Sequence, residues 1–359
     1  MVDLGGWQRR LVEEGPRFLA ERLVLLLLCL PAFLFGLVGR LRAWLYHLGI
    51  LPVYRAPVPV ISVGNLAVGG TGKTPVTDYL VKELLARGLR VAVVSRGYGG
   101  SGVDGHGLVS AGNGPLATAA AAGDEPFLLA RRNPRALVLV NPRRREAIAA
   151  AVREHGAQVV VLDDGFQHLA VARDLDIVLL DAHHPLSNGR VLPAGRLREP
   201  AGALRRADLL LLTRSSDEPL PVLPVERPLL RCSHRLATVA VTLSGEERSL
   251  AELEGHRVFA FAGIAHPDGF FAALRSAGLT LSGTLPLPDH VRYDQALYER
   301  LSAAAGDAEC LVTTEKDAVK LADANFDVRC YQVPLEIAFE EPGRLTDILD
   351  NCLQGKEVA

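Results

Sequence analysis

Residues 64–75 read GNLAVGGTGKTP. A β-branched run, Val58–Val63, precedes them, and the helical pattern VTDYLVKELLARG follows. A strand, a glycine-rich loop and a helix that opens with Gly-Lys-Thr together make a phosphate cradle. The glycines let the backbone curl until successive N–H groups and the helix N-terminus face an anion. In that arrangement Ala67, Val68, Gly69, Gly70, Thr71, Gly72, Lys73 and Thr74 hold a nucleotide triphosphate, with Lys73 reaching the outer phosphates and the Thr74 hydroxyl on Mg²⁺. Pro75 fits the first helical turn, where a missing N–H costs nothing. One position departs from the pattern: G-x-x-x-x-G-K-[ST] calls for glycine at 67, and the chain has Ala67.

The same strand-to-turn rhythm recurs down the chain. Val91–Ser95 leads into RGYGG, Ala136–Val140 into NPRRR, Gln158–Leu162 into DDGFQH, Ile177–Leu180 into DAHH, and Leu209–Leu212 into TRSS. Continuous apolar runs without alternation are what a parallel strand covered on both faces requires. The expected fold is therefore α/β: a mostly parallel sheet of P-loop NTPase type with flanking helices. Most of the unusual polar tracts fall at the carboxyl ends of these runs, where open α/β sheets bind ligands.

Four segments are expected. Residues 1–50 form an apolar, membrane-associated helical segment, and residues 51–225 the phosphate-loop domain. Residues 226–256 form a linker or small β-ribbon, and residues 257–359 a smaller second α/β domain, in which RVFAFAGI, ECLVTTE and VRCYQVPL alternate with helical stretches. The biased stretch AGNGPLATAAAAGDEP is expected to be a mobile loop.

Composition narrows the function classes. Of 359 residues, 49% are hydrophobic and the net charge is −2, so no global field favours nucleic acid. The five cysteines are scattered with no C-x-x-C pair, which disfavours a disulfide framework or a zinc site and fits a reducing compartment. Leu23–Gly39 carries no charged side chain and has arginines on both sides. It is near the lower length for crossing a bilayer core of ~30 Å, with Pro31 in its middle. A cleaved signal peptide is disfavoured, because the run follows Glu13 and Glu14 and lacks a small-x-small site. An embedded or interfacial anchor, a single span and a buried core helix all fit the length.

A magnesium-dependent phosphate loop also needs carboxylates at a neighbouring strand end, and VVVLDDG supplies Asp163 and Asp164. GDEP offers Asp124, and LPDH offers His290 beside a carboxylate; such a residue alone in a loop is more often a helix cap or solvated surface. TEKD at 314–317 lacks the spacing of a guanine-reading motif, since Lys316 and Asp317 are adjacent.

In order, GNLxxGGxGKTP, SRGYGG, GDEP, DDGFQH, LPAGxLRE, AGIxHPxxF, PDHxxY and TEKDAVK resemble the tetraacyldisaccharide 4′-kinase family of lipid A biosynthesis, from about Val58 to Lys320 and including the apolar N-terminal helix. That family's loop is similar in lacking the first glycine. The resemblance implies ATP and Mg²⁺ as cofactors and phosphoryl transfer to the 4′-hydroxyl of a tetraacylated glucosamine disaccharide 1-phosphate. The implied location is the cytoplasmic face of the Gram-negative inner membrane. The implied partners are the acylated lipid and the membrane surface, with no nucleic acid and no obligate protein partner.

Residue by residue, the resemblance implies Asp124 as general base and His290 as the residue that orients or tunes it. Thr74, Asp163 and Asp164 hold the metal. Arg96, Tyr98, Gln167, His168, Arg198 and Glu199 contact nucleotide, metal water or the substrate's 1-phosphate. The competing class is a P-loop GTPase or partition-type ATPase that acts as a membrane-associated switch.

Overall fold

The computed structural model describes residues 10–12, 15–103, 107–215, 219–321, 324 and 326–357; Glu13 and Glu14 lie outside them. The long helix α1 (Leu19–His47) contains Pro31. Then come β1 (Val60–Asn65), α2 (Lys73–Ala86), β2 (Val91–Ser95) and β3 (Leu108–Ala111). The short α3 (Ala119–Ala122) precedes α4 (Asp124–Arg132), β4 (Leu137–Val140), α5 (Arg144–Arg153), β5 (Val159–Asp163) and β6 (Leu175–Asp181). Further on are β7 (Leu209–Thr213), β8 (Leu229–Leu236), β9 (Val239–Thr242), β10 (Glu247–Ser249) and β11 (Val258–Ala262). The chain closes with α6 (Pro267–Ser276), β12 (Leu281–Pro286), α7 (Gln295–Ala305), β13 (Cys310–Thr314), α8 (Glu315–Ala318), β14 (Arg329–Val333), β15 (Leu335–Phe339) and α9 (Pro342–Glu357).

The chain divides into two compact units, each assembled from separated segments. The first comprises residues 1–73, 160–233 and 339–359. Its strands β8, β7, β6, β1 and β5 are neighbours in that order and every pairing is parallel. β1 and β7 are buried along their whole length, which is why their sequences are apolar without alternation. Helix α1 lays Leu25, Leu28, Cys29 and Ala32 on the cluster built from Leu66, Phe166, Val178, Val191 and Leu210. Their three- and four-residue spacing is one helical stripe. The opposite face, including Leu26, Leu27, Leu30 and Phe33, is exposed. Only 11% of the apolar window of α1 is buried, so the core-helix alternative does not hold.

The second unit comprises residues 74–159 and 234–338. It contains β2 parallel to β4, with β3 antiparallel at the edge. It also contains a six-stranded sheet in the order β10-β9-β14-β13-β11-β12. Within that sheet β12, β11, β13 and β14 run parallel, whereas β9 is antiparallel to both β14 and β10. Residues 226–256 thus contribute strands, and the β9–β10 ribbon is stitched to β14. The stretch expected to be a loop before GDEP contains helix α3 instead. The Thr118 hydroxyl accepts from the Ala121 N–H at its start, and an alanine run needs only such a cap to turn.

Candidate active site

In the first unit β1 runs into the glycine loop, and α2 opens at Lys73. The loop carbonyls are tied back to the protein. Asn65 Nδ2 donates to the Ala67 carbonyl at 2.7 Å and to Thr71 Oγ1 at 2.8 Å. Arg196 Nη2 donates to the Val68 carbonyl at 2.8 Å, and the Val68 N–H returns a bond to the Arg196 carbonyl at 2.8 Å. Thr213 Oγ1 donates to the Thr71 carbonyl at 2.9 Å, and Arg214 to the Gly70 carbonyl. Arg214 is itself held at 2.5 Å by Asp181, the last residue of β6. Anchoring the negative ends of these peptides favours an anion at their positive ends.

Ala67 has a structural explanation. It forms an antiparallel bridge with Leu197 and is absent from the residues with positive φ. The bridge needs no left-handed backbone, so a methyl group is tolerated there. Gly69 and Gly72 do sit at φ 112° and 80°. Gly64 is required for a different reason: a Cβ there would lie 2.6 Å from Phe166 Cβ and 2.7 Å from its backbone nitrogen. The glycine lets the DDGFQH segment pack against the loop.

That segment carries the acidic groups. Asp163 ends β5 and is buried, and Asp164 has a left-handed backbone with φ 54°. Such a conformation in a non-glycine residue persists only where its surroundings fix it. Arg198 Nη1 lies 2.8 Å from both Asp164 oxygens, and Lys73 Nζ lies 3.5 Å from one of them. Arg198 also reaches Gln167 Oε1 at 3.3 Å, while Gln167 Nε2 donates to the Asn65 carbonyl at 2.9 Å. The His168 N–H donates to the Gly165 carbonyl at 2.8 Å, closing the DDGFQH turn. Glu199 is a brace: Arg206 grips both its oxygens at 2.9 and 3.0 Å and lies over the Phe166 ring. Arg42, near the end of α1, donates to the Gln167 carbonyl at 3.3 Å.

Among the described residues no group of three or more His, Cys, Asp or Glu converges to cage a metal. Thr74, Asp163 and Asp164 offer hard oxygen donors, which suits Mg²⁺, an ion that keeps waters and completes its shell with phosphate oxygens.

The second unit holds the other sequence candidates. Asp124 is the first residue of α4, and Gly123 before it has φ 91° with the Tyr98 carbonyl where a Cβ would stand. The SRGYGG loop therefore lies against this turn, and the Ser101 N–H donates to the Ala120 carbonyl at 2.9 Å. Arg96 stacks 4.8 Å from the Tyr98 ring centroid and bonds its hydroxyl. His290, itself left-handed at φ 58°, brings Nδ1 to 3.4 Å from Asp124 Oδ2 across 166 residues of sequence.

Two lysines of TEKDAVK complete the cluster. Lys320 Nζ lies 3.3 Å from Asp124 Oδ2; Lys316 Nζ lies 3.2 Å from Glu125, 3.1 Å from Asp289 and 3.4 Å from His290 Nε2. Burial pulls the Asp124 carboxyl upward, but the His290 hydrogen bond and the Lys320 charge outweigh it and leave the group below its ordinary range. Asp124 in turn raises the His290 imidazole above its ordinary value, against burial and the Lys316 charge. Burial opposes the charge on Lys316, and Glu125 and Asp289 more than offset it.

Behind them lies a network that the sequence reading missed. Arg132, at the end of α4, binds Asp78 of α2 at 2.9 Å, Glu315 of α8 and the Leu335 carbonyl at 2.9 Å. Asn133 donates to the other Asp78 oxygen at 2.7 Å. Lys316 and Lys320 stood in the TEKDAVK tract of the family resemblance without an assigned role, and Arg132 read as an ordinary helix-end cation.

Against known proteins, the model of the family described as LpxK, tetraacyldisaccharide-1-P 4′-kinase, matches residues 24–354. The chain belongs to the tetraacyldisaccharide 4′-kinase family. It is 52% identical to the tetraacyldisaccharide 4′-kinase of Syntrophotalea carbinolica over 356 residues, which is 99% of this chain and 100% of that one. It is 45% identical to the Geobacter sulfurreducens kinase, covering 97% of this chain and 99% of the relative. Among solved structures, LpxK from Aquifex aeolicus in complex with ATP is similar with a TM-score of 0.77 and 32% identity, over 90% of this chain and 98% of that one. Membership makes the chain an ATP-dependent kinase and sets aside the GTPase and partition-ATPase alternative. It acts on a lipid A precursor.

Proposed function

We propose that the chain moves the γ-phosphate of ATP to the 4′-hydroxyl of a tetraacylated glucosamine disaccharide 1-phosphate, giving lipid IVA, with Asp124 as the base. The pairing of Asp124 with His290 carries this assignment of roles. A helix start and a loop 166 residues apart in sequence are brought together on one carboxylate, and the His290 hydrogen bond helps hold it ionised.

On this reading the 4′-oxygen attacks the γ-phosphorus, the bond to the bridging oxygen breaks, and ADP leaves. The hydroxyl proton passes to Asp124. A loose transition state asks for little deprotonation early on, so a carboxylate with a depressed proton affinity suffices if it is correctly placed. Residues 67–74 hold the triphosphate, with Lys73 on its outer phosphates. Mg²⁺, held by Thr74, Asp163 and Asp164, supplies charge neutralisation on the phosphate oxygens. Arg198 and Lys73 hold the Asp164 carboxylate in place. Arg96 and Tyr98 suit the substrate's 1-phosphate, where a planar guanidinium gives paired hydrogen bonds. Gln167 and His168 shape the turn around the metal carboxylates, and Glu199 fixes the strip that bears Arg198.

The exposed stripe of α1 belongs in lipid on the same reading. Each Leu or Phe taken out of water contributes roughly 1.5–3 kcal/mol, and Arg42 ties the helix to the Gln167 carbonyl. The helix anchors the enzyme at the cytoplasmic face of the Gram-negative inner membrane, where the acyl chains stay in the bilayer. The four-segment organisation 1–50, 51–225, 226–256 and 257–359 belongs to this proposal.

Transfer of label from γ-labelled ATP to purified disaccharide 1-phosphate tests the assignment. Folded protein with Mg²⁺ should label the lipid at the 4′-position, and no transfer would sink it. Removing residues 1–48 should weaken vesicle association and raise the apparent KM for lipid; unchanged values for both would discard the anchor.

A further inference from the structure

Asp124 is contacted from two sides on a single oxygen. His290 Nδ1 at 3.4 Å and Lys320 Nζ at 3.3 Å both address Oδ2. Lys320 is not a mobile surface cation. Its side chain is 12% exposed, and its ammonium donates to the Val291 carbonyl at 3.4 Å, lies 3.7 Å from Asp317 and sits 5.7 Å from the Tyr293 ring centroid. Asp317 is fully buried and takes the Gly263 N–H at 2.9 Å and the Thr314 hydroxyl at 2.7 Å, so the group beneath the lysine is fixed as well. Arg132 pins the start of this turn through Glu315. The other charged neighbours are Glu125, Asp289 and Lys316, which satisfy one another.

We propose that Lys320 is a positioning residue for the phosphoryl transfer. Together with His290 it occupies Oδ2 of Asp124, and so assigns Oδ1 as the oxygen that takes the proton from the sugar hydroxyl. The inference rests on the reading of Asp124 as the base. In the step the O–H bond of the substrate breaks, and the new O–H bond forms at Oδ1. A carboxylate free to rotate would offer either oxygen, and a fixed ammonium removes that freedom while keeping the group ionised.

The test uses the full-length protein with Lys320→Met, which keeps the apolar stem over Tyr293, and Lys320→Arg, which keeps the charge. Lys320→Met should lower kcat by about 10- to 100-fold, a part of the ~10²–10⁴-fold that a positioned acid–base group contributes. Its dissociation constant for ATP should stay within about twofold of wild type. The acid limb of its kcat profile should move to higher pH, and Lys320→Arg should restore both kcat and the limb. Should the methionine variant be unstable, Lys320→Gln must show the same upward movement. A wild-type kcat and acid limb in the uncharged variant overturns the inference. Asp124→Asn separates the two failures. If it is inactive while Lys320→Met is wild type, only the role of Lys320 falls; if it transfers phosphate normally, the base itself is wrong.

Discussion

The glycine loop of the first unit and the carboxylate cluster of the second are both charged, yet they are held in different ways. Around the loop most of the restraint is on backbone. Asn65, Arg196, Thr213 and Arg214 grip carbonyls, and a single acidic group, Asp164, sits between Lys73 and Arg198. Around Asp124 the restraint is side chain on side chain, drawn from residues 124–125, 289–290 and 316–320. A backbone cradle tolerates a changed side chain, as Ala67 shows. A side-chain relay depends on every member, because removing one partner leaves the others charged and unpaired.

That contrast can be broken at its strongest point. Asp124→Asn should cut kcat by about 10²–10⁴-fold while leaving ATP affinity essentially unchanged, measured by single-turnover transfer alongside nucleotide titration. A parallel loss of ATP affinity would mean that the two regions are not separable. Arg132→Met should destabilise the protein by about 3–5 kcal/mol in denaturant unfolding, since Asp78 and Glu315 lose their common buried cation. A cost below ~1 kcal/mol would show that the network is no more than a surface ion pair.

The pH response sharpens the comparison further. His290 is raised, so its contribution to stability is complete below the ordinary imidazole value and is lost as pH climbs through the raised one. Asp124 is lowered, so its contribution is present above the ordinary carboxylate value and is lost as pH falls through the depressed one. The pair therefore stabilises most between those two ordinary values. Titration of the His290 ring by NMR should show a midpoint above the ordinary one, and Asp124→Asn should bring it down. An unmoved midpoint would uncouple the two. The smallest effect is expected in the loop. Ala67→Gly should leave ATP affinity alone and cost about 0.5–1 kcal/mol through added backbone freedom, readable as a small fall in thermal midpoint.

Much of the first region was legible from local pattern. Unbroken apolar runs marked the parallel strands, Gly-Lys-Thr marked the helix start, and Asp-Asp-Gly marked a strand end. These signals work because the periodicity of a strand and the backbone freedom of glycine are properties of a few consecutive residues. Asp124 and His290 were legible only through the resemblance to a family, since a carboxylate in a loop and a histidine in a loop carry no local mark of each other. The partners of Lys316, Lys320, Arg132 and Glu199 were not legible. Arg132 reads in sequence as an ordinary helix-end charge, and the motifs that contain Lys316, Lys320 and Glu199 do not say what those side chains touch.

By itself, then, the sequence determined the α/β class, the phosphate loop, the apolar helix and the membership of the family. Tertiary structure alone decided which charge meets which: that Glu199 serves Arg206, that Arg132 joins α2 to α8, and that Lys320 and His290 share one oxygen of Asp124. The reason is physical. Coulomb and hydrogen-bond energies are set by separations of a few ångströms, and for side chains on different elements or turns those separations exist only once the elements of each unit have packed.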